Sequence, residues 1–251
     1  MQFASTAAAP CETEKPFWIV ARQSGSVQRD LPIFATKAGA VSLRAEGPGR
    51  VTRRDFAEGI FVLDSVLRDD ECDEIIEMSE AMGYASDAPA SLRPCRAATV
   101  EAVRRNANVT WIVDDALNDA VFARAKRLLP PTIDLQTRDG VDFSLGPVAG
   151  LNRRWRLYRY GENDDLHDGR RHSWLSFLIY LNDDFAGGET KFALGGEVSG
   201  VAPKKGSVLC FLHGHHPFSP LHEGALVDAG TKYVARTDVL YEMPPWCRGT
   251  T

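Results

Sequence analysis

A chain of 251 residues, 44% apolar and 25% charged, can bury one substantial core, and a β-barrel with helical support commonly uses this length as a single domain. Its 29 Lys and Arg against 34 Asp and Glu leave a formal net charge of −5 and a pI near 5.7, which excludes a general electrostatic pull toward nucleic acid or an anionic membrane. No apolar run reaches the roughly 18 to 20 residues of a membrane span, and five widely spaced cysteines without a Cys-x-x-Cys pair favour a soluble, reducing, cytoplasmic setting over a disulfide framework or a structural zinc.

Residues 1–55 mix Gly, Ser, Ala and Pro with short apolar pieces such as Phe17-Trp18-Ile19-Val20, and read as a partly ordered N-terminal extension. The first ten residues lack the basic and strongly apolar regions of a secretory signal. One domain is expected over 56–243, with helical support in 56–149 and a β-rich core in 150–243. Ile60-Phe61-Val62-Leu63 reads as a short buried strand. Asp69-Asp70-Glu71 opens a helix, because acidic side chains stabilise the exposed N–H groups of a first turn, and Cys72, Ile75, Ile76, Ser79 and Met82 form one face before Gly83 ends it. A second helix is expected from Ala116 to Leu129, with Leu117, Val121, Ala125 and Leu128 on one stripe and Pro130-Pro131 as the stop.

After Gly150 the apolar period falls to two. Trp155 and Leu157 alternate with Arg156, Tyr158 and Tyr160, and Leu175, Phe177, Ile179 and Leu181 alternate with Ser176, Leu178 and Tyr180. Further strands are expected over 207–212, 221–227 and 232–241, separated by turns such as Ala186-Gly187-Gly188 and Asp228-Ala229-Gly230. Many short strands with Gly turns indicate a sandwich or barrel.

Four pieces in order carry a resemblance: Trp155-Arg156-Leu157-Tyr158-Arg159-Tyr160-Gly161; the run from Leu175 through Tyr180-Leu181-Asn182-Asp183-Asp184-Phe185 to Gly187-Gly188-Glu189-Thr190; Pro203-Lys204-Lys205-Gly206-Ser207; and His222 with Lys232 ten positions on. Together they resemble the prolyl 4-hydroxylase-like branch of the Fe(II)/2-oxoglutarate dioxygenases. The resemblance implies a mainly β fold with supporting helices, a double-stranded β-helix or jelly roll of the cupin-like barrel type, with the helices on its outside. It also implies Fe(2+), 2-oxoglutarate and ascorbate as cofactors, and a peptidyl-proline-like or small-molecule substrate.

By the same resemblance His222 is the distal metal ligand, Lys232 the cation that holds the far carboxylate of 2-oxoglutarate, and Tyr160 or Tyr158 a hydroxyl donor to that carboxylate. Arg236, four residues beyond Lys232 and on the same strand face, assists or replaces the lysine. Ser176 lines the same region. The family supplies its other two ligands as His-x-Asp, because residues two apart on a strand point to one side. Here His167 and Asp168 are adjacent, and Asp165-Leu166-His167 has the spacing in reverse order. Three arrangements stay open: His167 and Asp168 ligate through a bulge or turn, Asp165 and His167 ligate in reverse, or the site is incomplete and the chain is a non-catalytic binding module on a degenerate barrel. His213-Gly214-His215-His216-Pro217 reads as a loop before the distal strand, solvated or substrate-lining rather than ligating, and Gly187-Gly188-Glu189-Thr190 as a tight connection without chemistry.

Overall fold

The structure, a computed structural model, describes residues 15–25, 30–86, 107–136, 142–159, 171–214 and 216–243. Strands β1 (Phe17–Gln23), β2 (Leu31–Thr36), β3 (Thr52–Ala57) and β4 (Ile60–Asp64) precede helix α1 (Asp69–Met82); β5 (Ala107–Ile112) precedes α2 (Asp115–Ala125). Then follow β6 (Ile133–Gln136), β7 (Asp142–Leu151), β8 (Arg154–Arg159), β9 (Arg171–Tyr180), β10 (Ala186–Gly187) and β11 (Thr190–Leu194). The last elements are β12 (Glu197–Val201), β13 (Val208–Leu212), β14 (Leu221–Gly224), β15 (Val227–Ala229) and β16 (Val234–Glu242). No helix among the described residues is long and apolar enough to cross a membrane.

The pairing is that of a long hairpin folded over on itself. β11 and β12 form its tip; outward from there β14 pairs with β11, β15 with β10, β13 with β9, and β16 with both β9 and β8, all antiparallel. This nesting makes a jelly roll. Its large sheet runs β1-β2-β5-β8-β16-β9-β13-β4-β3 and its smaller one β12-β11-β14. Strands β1, β2 and β3, from the stretch read in the sequence as an extension, are thus built into the large sheet. β2 pairs in parallel with β5 across an intervening helix.

Alternation divides the large sheet into two apolar layers. Phe61, Leu63, Trp155, Leu157, Phe177, Ile179, Cys210, Ala235, Val239 and Tyr241 point outward. Cys72 and Ile75 of α1 and Leu117 and Val121 of α2 cover them in one continuous cluster, as the helical stripes require. Trp111 and Trp155 meet edge to face at 6.4 Å in its middle. The opposite face carries Ile60, Val62, Tyr180, Leu209, Phe211 and Val234, covered by Phe192 and Val201 of the small sheet.

The helices are held by more than their stripes. Glu71, fully buried, accepts from Arg68 N at 2.8 Å and Arg44 N at 2.7 Å, and takes both terminal nitrogens of Arg124 at 2.7 and 2.8 Å. One carboxylate therefore caps α1 and bolts α2 to it. Burial opposes its ionisation, but the Arg124 hydrogen bonds and the two backbone donors outweigh burial and lower its pKa. At the other helix, Asp114 accepts from Leu117 N at 3.1 Å.

Candidate functional site

The inner face of the large sheet is built by position. In β16, Ala235, Thr237 and Val239 turn to the helices, so Val234, Arg236 and Asp238 turn to the barrel interior. The register sets Asp238 beside Ser176, Ser176 beside Phe211, and Arg236 beside both Leu178 and Arg156. Tyr158, 6% exposed, lies next along β8 on the same face.

His222 sits on β14 opposite Phe192, with its ring 4.4 Å from that of Phe211 and 6.1 Å from that of Phe192. It therefore faces the inner apolar layer from the small sheet. Its Nδ1 lies 3.1 Å from the Pro220 carbonyl, an acceptor only, so Nδ1 donates to it. A backbone carbonyl on one ring nitrogen is a usual orienting contact of a metal-binding histidine. Of the three ligands that the resemblance implies, His222 alone falls among the described residues. His167 and Asp168, proposed as its companions, and Tyr160 lie outside the described residues. Among the described residues no cluster of three or more His, Cys, Asp or Glu side chains is placed to hold a metal.

Lys232 precedes β16 and is 4% exposed. Its ammonium donates to the Gly188 carbonyl at 2.6 Å and stands 5.4 Å from the centre of the Tyr180 ring. Burial lowers its pKa to about 8. The glycine has a reason to be there: at Gly188, φ is +68°, and a Cβ would come within 2.8 Å of Phe185 and 3.2 Å of Lys232 Cδ. The Gly-Gly turn, expected to be structural, thus touches the lysine expected to be functional.

Arg236, 9% exposed, donates from Nη2 to Ser176 Oγ at 3.2 Å. Ser176 Oγ lies 2.9 Å from His213 Nδ1, and His213 Nε2 lies 3.1 Å from the Ser173 carbonyl. Because the carbonyl can only accept, Nε2 donates to it. A connected chain results, from guanidinium through hydroxyl and imidazole to backbone. His213 is 7% exposed and extends the inward face of Leu209 and Phe211 by one step, which removes the solvated reading of it and keeps the lining one. Continued alternation from β13 was the available signal. Arg156 and Asp238, at 6% and 7% exposure, are also inward-facing charges that the sequence reading did not single out. Nothing in their local sequence separates them from solvated strand residues.

No protein-family model matches the chain, and no curated protein matches it. Among solved structures, a viral collagen prolyl hydroxylase from Paramecium Bursaria Chlorella virus-1 in complex with 2OG is similar at 16% identity and TM-score 0.46, over 72% of this chain and 96% of that one. A 2OG-Fe(II) oxygenase family oxidoreductase from Burkholderia pseudomallei shows 15% identity and TM-score 0.44, over 74% and 86%. A Pseudomonas putida prolyl-4-hydroxylase shows 18% identity and TM-score 0.38, over 74% and 94%.

Proposed function

We propose that the chain is an oxidoreductase that uses Fe(II), 2-oxoglutarate and dioxygen to hydroxylate a C–H bond of a peptidyl-proline-like or small-molecule substrate. The observation that supports this most is His222, whose ring packs against Phe211 and Phe192 of the jelly-roll interior, into which Lys232 and Arg236 bring buried cations. In this reading His222, His167 and Asp168 hold the iron, which when bound supplies dioxygen activation and the oxidative decarboxylation of the 2-oxoacid.

The protein's own part is binding and orientation. Lys232 offers a charge-assisted donor to the distal carboxylate of 2-oxoglutarate, with Arg236 as the second cation on the same strand face. Phe192, Phe211 and Leu209 line the neighbouring interior with apolar surface and so exclude water, which strengthens each polar contact made there. Cys72 and Cys210 take no part: both are buried, and burial raises the Cys72 thiol to about 12 and Cys210 further, so neither forms a thiolate near neutrality.

The test is formation of succinate from 2-oxoglutarate by the purified protein with Fe(II) and ascorbate, read beside its iron stoichiometry. Turnover that requires iron is the expected result. An absence of both iron binding and turnover would overturn the enzyme reading and leave a binding module on the same barrel.

A further inference from the structure

Lys232 precedes β16 and lies outside any strand, so its aim is not set by a ladder. The pairing of β9 with β16 ends at Val234 against Tyr180, and two residues further out the same register brings Asn182 beside Lys232. A lysine's four-carbon stem is flexible, and a small rotation at its backbone is amplified at the ammonium. Something other than sheet must hold this backbone if the ammonium is to stand at one point.

Asn182, 8% exposed, does so. Its Oδ1 accepts from Tyr233 N at 2.7 Å, and its Nδ2 donates to the Thr231 carbonyl at 2.6 Å and to Asp184 Oδ1 at 2.6 Å. The two backbone partners belong to the residues on either side of Lys232. They also fix which way round the amide lies, since an N–H only donates and a carbonyl only accepts. Leu181 N adds a bond to the Tyr233 carbonyl at 3.0 Å, and the Tyr233 hydroxyl donates outward to Glu80 at 2.6 Å. Gly230, with φ +84°, lets the two segments meet: a Cβ there would come within 2.9 Å of Phe185 Cβ and 3.1 Å of the Asp184 carbonyl oxygen. At the far end of the side chain the Gly188 carbonyl takes the ammonium, so Lys232 is held at both ends.

We propose that Asn182 is the positioning residue of Lys232: by bracketing its backbone it places the ammonium for the distal carboxylate of 2-oxoglutarate, and it sets the affinity for that acid without touching it. This deepens the functional reading and rests on it for the identity of the carboxylate. A side chain that served only to stitch the turn would act on the stability of the fold. A positioning residue acts through Lys232, so its effect on the acid vanishes when the lysine is gone.

Two measurements separate these roles: 2-oxoglutarate affinity by calorimetry with Fe(II) and without oxygen, and the protonation midpoint of Lys232 by side-chain nitrogen NMR, its signal identified by loss in Lys232→Met. Asn182→Ala should weaken 2-oxoglutarate binding about tenfold and leave iron affinity within about twofold of the parent. It should also move the Lys232 midpoint up from about 8 toward the ordinary 10.5, as the side chain gains freedom to reach water. In the Lys232→Met background the same substitution should change 2-oxoglutarate affinity by less than about twofold. Asn182→Ser keeps a hydroxyl that can satisfy one of the two backbone groups but not both; it should lose affinity by an intermediate amount, and it carries the test if the Ala variant does not fold. A loss of affinity equal in the two backgrounds, or a Lys232 midpoint unmoved in both variants, would overturn the proposal and leave Asn182 a stitch of the turn. A parent protein that does not bind 2-oxoglutarate, with the midpoint still moved by Asn182→Ala, would keep the positioning of Lys232 and remove the cosubstrate assigned to it.

Discussion

The two faces of the large sheet are made by alternate residues of the same strands, yet they obey different rules. Outward, β16 contributes Ala235, Val239 and Tyr241 to a layer sealed by α1 and α2, and every large side chain there is apolar or has its polar atom bonded, as Trp155 Nε1 is to Asn118 at 3.2 Å. Inward, one residue away in each case, it contributes Arg236 and Asp238, beside Arg156, His213 and Lys232. A face selected only for stability would not bury these groups, since each desolvated charge costs free energy that an apolar side chain does not. The contrast teaches that the outer layer holds the barrel together and the inner layer keeps buried charges at some expense of stability.

Removing bulk from the outer layer should give the largest effect. Trp155→Ala, at a fully buried position, is expected to cost about 3 to 5 kcal/mol, or roughly 6 to 20 °C in melting temperature for a chain of this size. A melting curve within a degree or two of the parent would show that this face is not the structural core.

The buried Glu71–Arg124 pair behind that layer comes next. Glu71→Gln leaves the guanidinium without its carboxylate and should destabilise by about 3 kcal/mol, as expected when one partner of a buried ion pair is deleted. The pH sign follows from the lowered pKa. Glu71 binds its proton less readily folded than unfolded, so its contribution is fully present above its ordinary value of 4.5 and is lost as pH falls through the lower folded value. The gap between parent and Glu71→Gln in urea titrations should therefore be narrower at pH 3.5 than at pH 7. A constant gap between them would remove this carboxylate from the account.

On the inner face the balance inverts. His222→Ala should lower iron-dependent succinate formation by about 100-fold, equivalent to ~2.7 kcal/mol in the barrier, while melting shifts far less than in Trp155→Ala. Matching losses of fold and turnover would erase the distinction between the layers.

Lys232 gives the smallest effect and the most specific sign. Its folded pKa, about 8, lies below its ordinary 10.5, so the unfolded chain binds the extra proton between these values and stability should rise with pH across that window. Affinity for 2-oxoglutarate should fall over the same range as the ammonium loses its charge. Lys232→Met, followed by thermal unfolding and calorimetry from pH 7 to 10, should flatten both trends; a Met variant that keeps the parent's pH dependence would assign it to another group.

Much of this was legible in the residues themselves. The stripe Cys72, Ile75, Ser79 and Met82 specifies an amphipathic helix wherever α1 is placed, and alternation over 175–181 specifies a two-faced strand, because both periods are properties of local backbone geometry. His222 stood out by its order and spacing relative to the motifs around it. Strands β1, β2 and β3 were not legible: their short apolar pieces gain a partner only when β2 lies parallel to β5, some 75 residues away in register, as in Ile33 against Thr110. Glu71 read as a first-turn acid, and only the approach of Arg124 across α2 makes it a buried fastener.

The sequence by itself therefore determined the two helices, the alternating strands after residue 150 and the candidate metal histidine, since periodicity and motif order are written along one dimension. Tertiary structure decided which polar residues meet. Arg156 and Arg236 become neighbours because β8 and β16 close the folded hairpin in a particular register, and a one-residue slip of β8 would turn Arg156 outward to the helices. His213 becomes the end of a hydrogen-bond chain because β13 lies against β9 at Ser173 and Ser176. Register is set by the sum of packing over all the strands, so the pairing of buried charges is a property of the closed barrel and of no single segment.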